Sequence, residues 1–488
     1  MTFSSKGSPA FRTLKHNSAV QRPAVFTIAG RILFKKPQLR NNAMLSFSLI
    51  LCASLSAPTL ENALPMHATG PWTVEIGPGK ISTNTRTTTI SKPVSFTISP
   101  AERVSIKDEE IPSLPVFNEN TGGWIKGAKP LLITTQECTA AGALYPETLR
   151  VKPAPGDTPP FVLDKDYRMD PFWGTVGRIE GGAIAANQQV YLDYDYAPNR
   201  LDSIVSDEKG NLSLVKGQPG VGSLPPPALN EKQLAVANIW VPGKAEQLTE
   251  DLLYPIDFGK SMQMSAASDV AERLLPKTLA KLRSGDPLVY VAWGDSVTNG
   301  GGVDGDGFQW YQQLFVNRLK QRFPKANITL KTAAWPGGNS AGYIKAPKGG
   351  TYDYQRDVLD PKPDLVTIEF VNDAYLDEAG VKEHYAKILS DLRGVGAEVA
   401  LITPHLVRPD WMKIDTLKFD EDPRPYVKGL RQFAAENHVA LADTAREWCR
   451  LWRRGIPYTT LEANSINHPD LRGHTLFAEV LIGMFPKK

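Results

Sequence analysis

The sequence predicts two architectures in series: an α/β domain toward the C-terminus, with a parallel sheet between layers of helices, and an all-β, sandwich-like domain before it. Three observations carry this prediction. From Asp286 onward, apolar runs alternate with amphipathic stretches at helical spacing, the pattern of βαβ units. Residues 70–245 instead hold short alternating runs rich in Thr, Val, Ile and Tyr between turn clusters, with no long helical period. The 488 residues also exceed one ordinary domain.

From the N-terminus, residues 1–68 form a basic leader. They hold eight Lys or Arg and one acid, a net +7, whereas the whole chain is +3 and the rest therefore −4. Nucleic-acid binding would need the opposite distribution, with positive charge on the folded part. An apolar core at Met44–Ala57, with small residues after it, fits a secretory signal and predicts an exported protein. It falls short of the roughly 20 residues of a stable membrane span. Cys138 and Cys449 lie in different predicted domains, so they read as buried thiols rather than a disulfide framework.

The all-β domain is placed at 69–245, with an accessory or carbohydrate-binding role. Its clearest strands are Thr73–Ile76, Val94–Ile98, Gln189–Tyr196 and Leu234–Val241. Residues 246–285 form a helical connector. The α/β domain is placed at 286–488, with strands at Leu288–Trp293, Ile328–Thr332, Asp364–Phe370, Glu398–Thr403 and Ala440–Ala442. Helices are predicted over 307–322, where Phe308, Tyr311, Phe315 and Leu319 share a face, and over 381–393, 424–437 and Leu471–Met484. Asp304-Gly-Asp306-Gly lacks the further acids of a calcium loop and reads as a solvated turn.

Four blocks carry chemistry. Gly294-Asp295-Ser296 follows the first strand and delivers a hydroxyl to the sheet edge where open α/β sheets bind ligands. The glycine-rich loop Asn299–Gly302 behind it lets a ligand approach. Trp335-Pro-Gly-Gly338-Asn339 follows another strand, and Gly338 has a backbone N–H to offer a developing oxyanion. The strand 366–370 ends in Asn372-Asp373, placing an amide donor at the same edge. Asn467-His468-Pro469 lies near the C-terminus, where a hydrolase with a leading serine draws its base. Taken singly, each block is an ordinary cap or turn.

Together the blocks resemble the SGNH (GDSL-type) hydrolase superfamily over roughly 286–488. The resemblance implies a flavodoxin-like three-layer α/β/α fold, Ser296 as nucleophile and His468 as general base. It also implies oxyanion contacts from Gly338, Asn372 and the Ser296 N–H, with no metal or cofactor. Two positions depart from the family. Phe370 stands where a glycine is usual, and Ser465 stands where an acid three residues before the histidine completes a triad. Asn464, Glu462 and Asp443 are the alternatives for orienting His468, beside a dyad with a backbone carbonyl. Asp295, Trp335, Asn339, Asp373 and His405 border the blocks and are the candidates for substrate contact.

The function expected is an exported serine esterase acting on O-acyl esters, O-acetyl groups on carbohydrate above all. The alternative is a surface carbohydrate-binding or adhesive protein whose hydrolase domain is inactive. The missing acid favours the alternative; four retained roles favour the enzyme. The partners are thus an acylated carbohydrate or other small ester, with no nucleic acid and no stable membrane span. Oligomeric state is not encoded in these features.

Overall fold

The computed structural model describes residues 60–259, 269–303 and 307–487; the leader's apolar core and the 304–306 turn lie outside them. All the described residues belong to one compact unit, Ala57–Lys488. Its C-terminal part is built on five parallel strands: β1 (Pro287–Gly294), β2 (Asn327–Ala334), β3 (Leu365–Glu369), β4 (Glu398–Ile402) and β5 (Ala440–Ala442). They lie in the order β2-β1-β3-β4-β5, the flavodoxin-like doubly wound arrangement. The helices that flank this sheet include α1 (Pro276–Ser284), α2 (Tyr311–Arg322), α3 (Ser340–Lys345), α4 (Glu378–Gly394), α5 (Pro425–Glu436) and α6 (Leu471–Gly483).

Side chains alternate across a strand, so β1 feeds two cores. Leu288, Tyr290 and Ala292 pack with Leu279 of α1, Phe315 and Leu319 of α2 and Phe477 and Leu481 of α6. Val291 and Trp293 point the other way, against Tyr343 of α3, Tyr385 of α4 and Tyr426 and Phe433 of α5. Burial of each such side chain stabilises by about 1.5–3 kcal/mol. A strand apolar on both faces can only be central in a three-layer stack, and β1 is.

The helix ends obey local chemistry. Asn339 Oδ1 accepts the Gly342 N–H (2.7 Å) at the start of α3, and Asp377 Oδ1 accepts the Gly380 N–H (2.8 Å) at the start of α4. Asp470 caps α6 through the Arg472 and Gly473 N–H groups. Pro425 opens α5 at the first helical position, where its missing N–H costs nothing. Two expectations shift. Phe308 precedes α2 and is exposed, and the stretch before β1 is two helices, Val270–Leu274 and α1, broken at Pro276.

The N-terminal part is antiparallel throughout its paired strands. Strands Met66–Gly70, Thr73–Ile76 and Val94–Thr97 form one sheet, and Arg200–Ser206, Leu212–Val215, Leu234–Val241 and Leu253–Pro255 form another. These two sheets enclose one core of Val74, Ile76, Ile204 and Ile239, a sandwich-like pairing. A second core, around Leu144, Val151, Val190 and Leu192, belongs to a further three-stranded sheet. Leu253–Pro255 extends the antiparallel sheet from within the predicted connector. Cys138 and Cys449 are buried free thiols. Among the described residues, no helix is long and apolar enough to cross a membrane.

The two parts touch along the loops that precede α6. Asn238 Nδ2 donates to Gly455 O (2.7 Å), Leu224 N–H to Thr460 O (2.8 Å) and Asp257 N–H to Arg453 O (2.7 Å). Cys138 and Trp173 pack with Ile466, two residues before His468.

Candidate active site

Strand register assembles the site. Gly294 lies opposite both Ala334 of β2 and Glu369 of β3, so the residues after all three strands emerge at one edge. Ser296, the Trp335–Gly338 turn and Asn372 therefore converge there. Gly294 is required because a Cβ would sit 2.1 Å from Thr298 Oγ1 and 2.3 Å from Glu369 O.

His468 meets this edge from the loop before α6. Its Nε2 lies 2.9 Å from Ser296 Oγ, within the reach a general base needs. Both residues are nearly buried, Ser296 at 8% exposure and His468 at 6%. Burial lowers the His468 pKa from its ordinary value, against an opposing pull from Glu137. The ring is thus neutral near pH 7, as a proton acceptor must be. The glycine-rich loop explains the fit: Gly301 lies flat against the imidazole, and a Cβ there would be 3.0 Å from His468 Cδ2 and Cε1.

That loop is braced by His474 of α6. His474 Nε2–H donates to Gly301 O (3.0 Å), while its Nδ1 accepts the Tyr311 N–H (3.2 Å). Both ring nitrogens are engaged in the neutral form, and burial pushes the pKa down to about 4. His405, expected to line the pocket, is instead fully buried. Its Nε2–H donates to Asn467 O (2.7 Å), so it steadies the loop that carries His468.

The oxyanion side is rearranged from expectation. The Gly338 N–H is used within its own turn, donating to Trp335 O (2.9 Å), so it is not directed at a substrate. The Gly338 carbonyl accepts from Asn372 Nδ2 (2.9 Å) and fixes that amide, which has a second N–H. Phe370 replaces the usual glycine without strain. Its backbone is extended (φ −137°), and its ring packs edge-on against Trp293 at 5.1 Å.

Several sequence candidates become scaffold. Asp295 is fully buried and accepts the N–H groups of Asn372 (3.0 Å) and Val297 (3.1 Å), so it fastens block three to block one rather than touching substrate. Burial pushes its carboxyl up to about 7. Glu369 has few donors and one oxygen without a partner, so it holds the proton while Asp295, fixed by backbone N–H groups, keeps the charge. Asp373 is also buried, accepting from Ser340 N (3.0 Å) and Oγ (2.5 Å) and from Tyr385 OH (2.8 Å). Asn339 caps α3, and Trp335 stacks on Tyr352 with ring centroids 4.5 Å apart.

The three candidates for orienting His468 do other work. Asn464 Oδ1 accepts the N–H groups of Ile466, Asn467 and His468 at 3.0, 2.9 and 2.9 Å, shaping the loop rather than the ring. Asp443 binds Arg431 and Thr403. Glu462 is buried with both oxygens unpartnered, and burial raises its pKa well above the ordinary value. Ser465, in the usual acid position, has a left-handed backbone (φ 58°). The group that faces the ring is outside every block the sequence singles out: Glu137 Oε2 lies 3.2 Å from His468 Nδ1, with Gln136 Oε1 at 3.4 Å. No local motif marks such contacts; that of Gln136 with His468 is made across 332 positions.

A cavity of about 570 Å³ adjoins this edge, lined by Asn372, Val407, Trp411, Lys413, Pro425 and Asn467. A second, of about 630 Å³, lies where the two parts meet, lined by Phe172, Trp173, Trp240, Arg408, Glu462 and Ser465. Arg408 bridges them, its guanidinium 4.7 Å from the Trp173 ring and 5.7 Å from that of Trp411.

Among solved structures, the chain is similar to a two-domain esterase active on acetylated mannans, with 19% identity over 44% of this chain and 53% of that one and a TM-score of 0.34. It thus spans about half of that esterase. It is also similar to an acetylxylan esterase from Geobacillus stearothermophilus, solved as a catalytic mutant (19% identity, 40% of this chain, 92% of that one, TM-score 0.30). A lipase/acylhydrolase from Enterococcus faecalis is similar to the same degree (19%, 40%, 93%, TM-score 0.30). No curated protein matches the chain. Residues 292–476 match the family model for the GDSL-like Lipase/Acylhydrolase family, and the segment that holds Ser296, Asn372 and His468 is an SGNH-type ester hydrolase domain of that family.

Proposed function

We propose that the protein is an exported serine esterase that removes O-acyl groups, chiefly O-acetyl, from carbohydrate. The observation that carries this reading is the 2.9 Å contact between Ser296 Oγ and His468 Nε2 beside a fixed Asn372 amide. Ser296 Oγ attacks the ester carbonyl as its proton passes to His468 Nε2, and the oxyanion forms beside Asn372. The tetrahedral adduct collapses, His468 returns the proton to the departing alcohol, and an acyl-Ser296 ester remains. Water, deprotonated by His468, then releases the acid and regenerates the hydroxyl.

The carbohydrate assignment is supported by the aromatic array at the cavities. Trp411 is 48% exposed and packs with Trp124 at 5.9 Å, which in turn meets Trp173 at 5.3 Å. Sugar rings present apolar C–H faces with polar rims, and aromatic walls with a few polar groups suit them. Export rests on the leader's charge and apolar core.

One observation favours the binding alternative: the Gly338 N–H is closed into its turn, so the oxyanion site has one donor fewer than expected. A fluorophosphonate probe and a panel of acetylated sugars decide between them. The esterase reading expects labelling of wild type but not of Ser296→Ala, with acetate release from at least one sugar. Absence of labelling together with no release above the Ser296→Ala background rejects it.

A further inference from the structure

We infer that Glu137, contributed by the strand-rich N-terminal part, is the positioning residue that stands in for the missing triad acid and holds the His468 ring toward Ser296. The inference deepens the esterase reading and rests on it. Its geometry has three parts. Glu137 Oε2 is 3.2 Å from Nδ1, at the outer end of the N–H···O range, and Gln136 Oε1 faces the same atom. Gln136 Oε1 accepts at Nδ1 and the Glu137 carboxylate lies beside it at ion-pair distance, so the proton sits there and Nε2 keeps its lone pair for the Ser296 hydroxyl. Among the acids nearer in sequence, Asp443 and Asp470 are paired with arginines, and burial raises the Glu462 pKa well above its ordinary value.

The turn that presents Glu137 is built for this contact. Cys138 N–H donates to Gln136 O (2.8 Å), and Thr135 N–H donates to Cys138 O (2.9 Å). The Lys129 ammonium binds the Glu137 carbonyl. Gln136 clips the turn to both catalytic loops, its Oε1 accepting the Gly302 N–H (2.8 Å) and its own N–H donating to Ala463 O (3.4 Å). Glu137 itself has φ 64°, a left-handed backbone that glycine or asparagine would adopt more cheaply.

That side chain is 62% exposed, so the pair adds little to folding stability and its value is orientation. The other titratable groups around the ring are His405 and His474, both kept neutral by burial, and Asp470, engaged with Arg472 and Ser223. None of these supplies a free negative charge to Nδ1. The consequence is that catalysis requires the N-terminal part to be docked: the α/β part alone lacks one member of its triad.

Glu137→Gln and Glu137→Gly in the full chain test the inference. Loss of a buried triad acid has cost about 10⁴-fold elsewhere. Here, with an exposed acid and Gln136 still in place, kcat should fall about 10- to 100-fold with little change in KM. Glu137→Gly should keep or raise Tm, because it relieves the left-handed strain, and added formate should restore part of its activity. The acid limb of the pH profile should move to lower pH, since an anion that favours imidazolium is gone. In parallel, NMR of isotope-labelled histidine should show a downfield Nδ1–H resonance in wild type that is lost in Glu137→Gly. This readout needs no turnover, so it decides the ring contact even if the esterase reading fails. Variants with kcat within twofold of wild type, or an Nδ1–H resonance unchanged in Glu137→Gly, would overturn the inference.

Discussion

Gly301→Ala perturbs the contact between the base and the nucleophile. Gly300 and Gly302 have φ of 78° and 94°, where any side chain is strained, but Gly301 is not in the left-handed region. Alanine is therefore compatible with its backbone, and the stiffer unfolded chain offsets strain by about 0.4–1 kcal/mol. The added methyl presses on both members of the pair, the His468 ring and the Ser296 backbone. It would lie 3.0 Å from His468 Cδ2 and Cε1 and 2.9 Å from Ser296 O, closer than ordinary van der Waals contact. The ring must yield by a few tenths of an ångström, which stretches the 2.9 Å Nε2–Oγ contact toward the limit of about 3.2 Å for proton transfer. A misplacement of about 1 Å costs about 10²-fold. The smaller shift here predicts about a 10-fold fall in kcat, or ~1.4 kcal/mol of barrier. Hydrolysis of 4-nitrophenyl acetate gives kcat and KM, and thermal unfolding gives Tm. The expected result is lower kcat with KM and Tm near wild type. A kcat within twofold of wild type would show that the glycine loop does not set the ring position, and the role given to Asn299–Gly302 would fall.

Other perturbations separate the remaining roles. Asn372→Ala should lower kcat by about 10²–10³-fold with a smaller change in KM, because the amide acts on charge that develops only in the transition state; equal loss in both would assign it to substrate binding. Glu369 has a folded-state pKa well above its ordinary value, so it stays protonated in the fold at pH values where the unfolded chain ionises. Its contribution is neutral below the unfolded pKa of about 4.3 and becomes a penalty as pH rises, by up to about 1.4 kcal/mol per pH unit. Glu369→Gln should therefore gain in Tm relative to wild type between pH 5 and 8, and a constant difference would disprove the burial argument. The profile of kcat/KM in wild type should have its acid limb below 6.5, the ordinary histidine value, because burial lowers His468. An inflection above 7 would contradict it.

The fold was legible because periodicity is local. Strand Leu234–Val241 and strand Ala440–Ala442 match their predicted limits, and β1, apolar on both faces, could be nothing but central. The helix α3 escaped notice because six residues beginning Ser-Ala-Gly carry no usable period, and its cap, Asn339, reads equally as a turn residue. In the site, Ser296 and His468 were legible as strand-end and helix-start positions. The burial of Asp295, Asp373 and His405 was not. Whether a polar residue at a strand end faces solvent or folds back under the sheet depends on how many backbone N–H groups await it, and for Asp295 these come from Asn372, far along the chain.

The same dependence on distant partners explains how three buried histidines share one sheet edge without competing for the proton. Burial pushes the His474 pKa down to about 4, and because the ring accepts at Nδ1 and donates at Nε2, protonation would also sacrifice the Tyr311 bond. His405 donates one proton to Asn467 O and has no acceptor at Nδ1, and burial, with the Arg424 charge adding to it, holds its pKa well below the ordinary value. Only His468 has a carboxylate within reach, and only its Nε2 faces a hydroxyl. Burial alone would make all three rings poor bases. A single exposed acid, delivered from the other part of the chain, is what distinguishes the ring that takes a proton from the two that hold its loop in place.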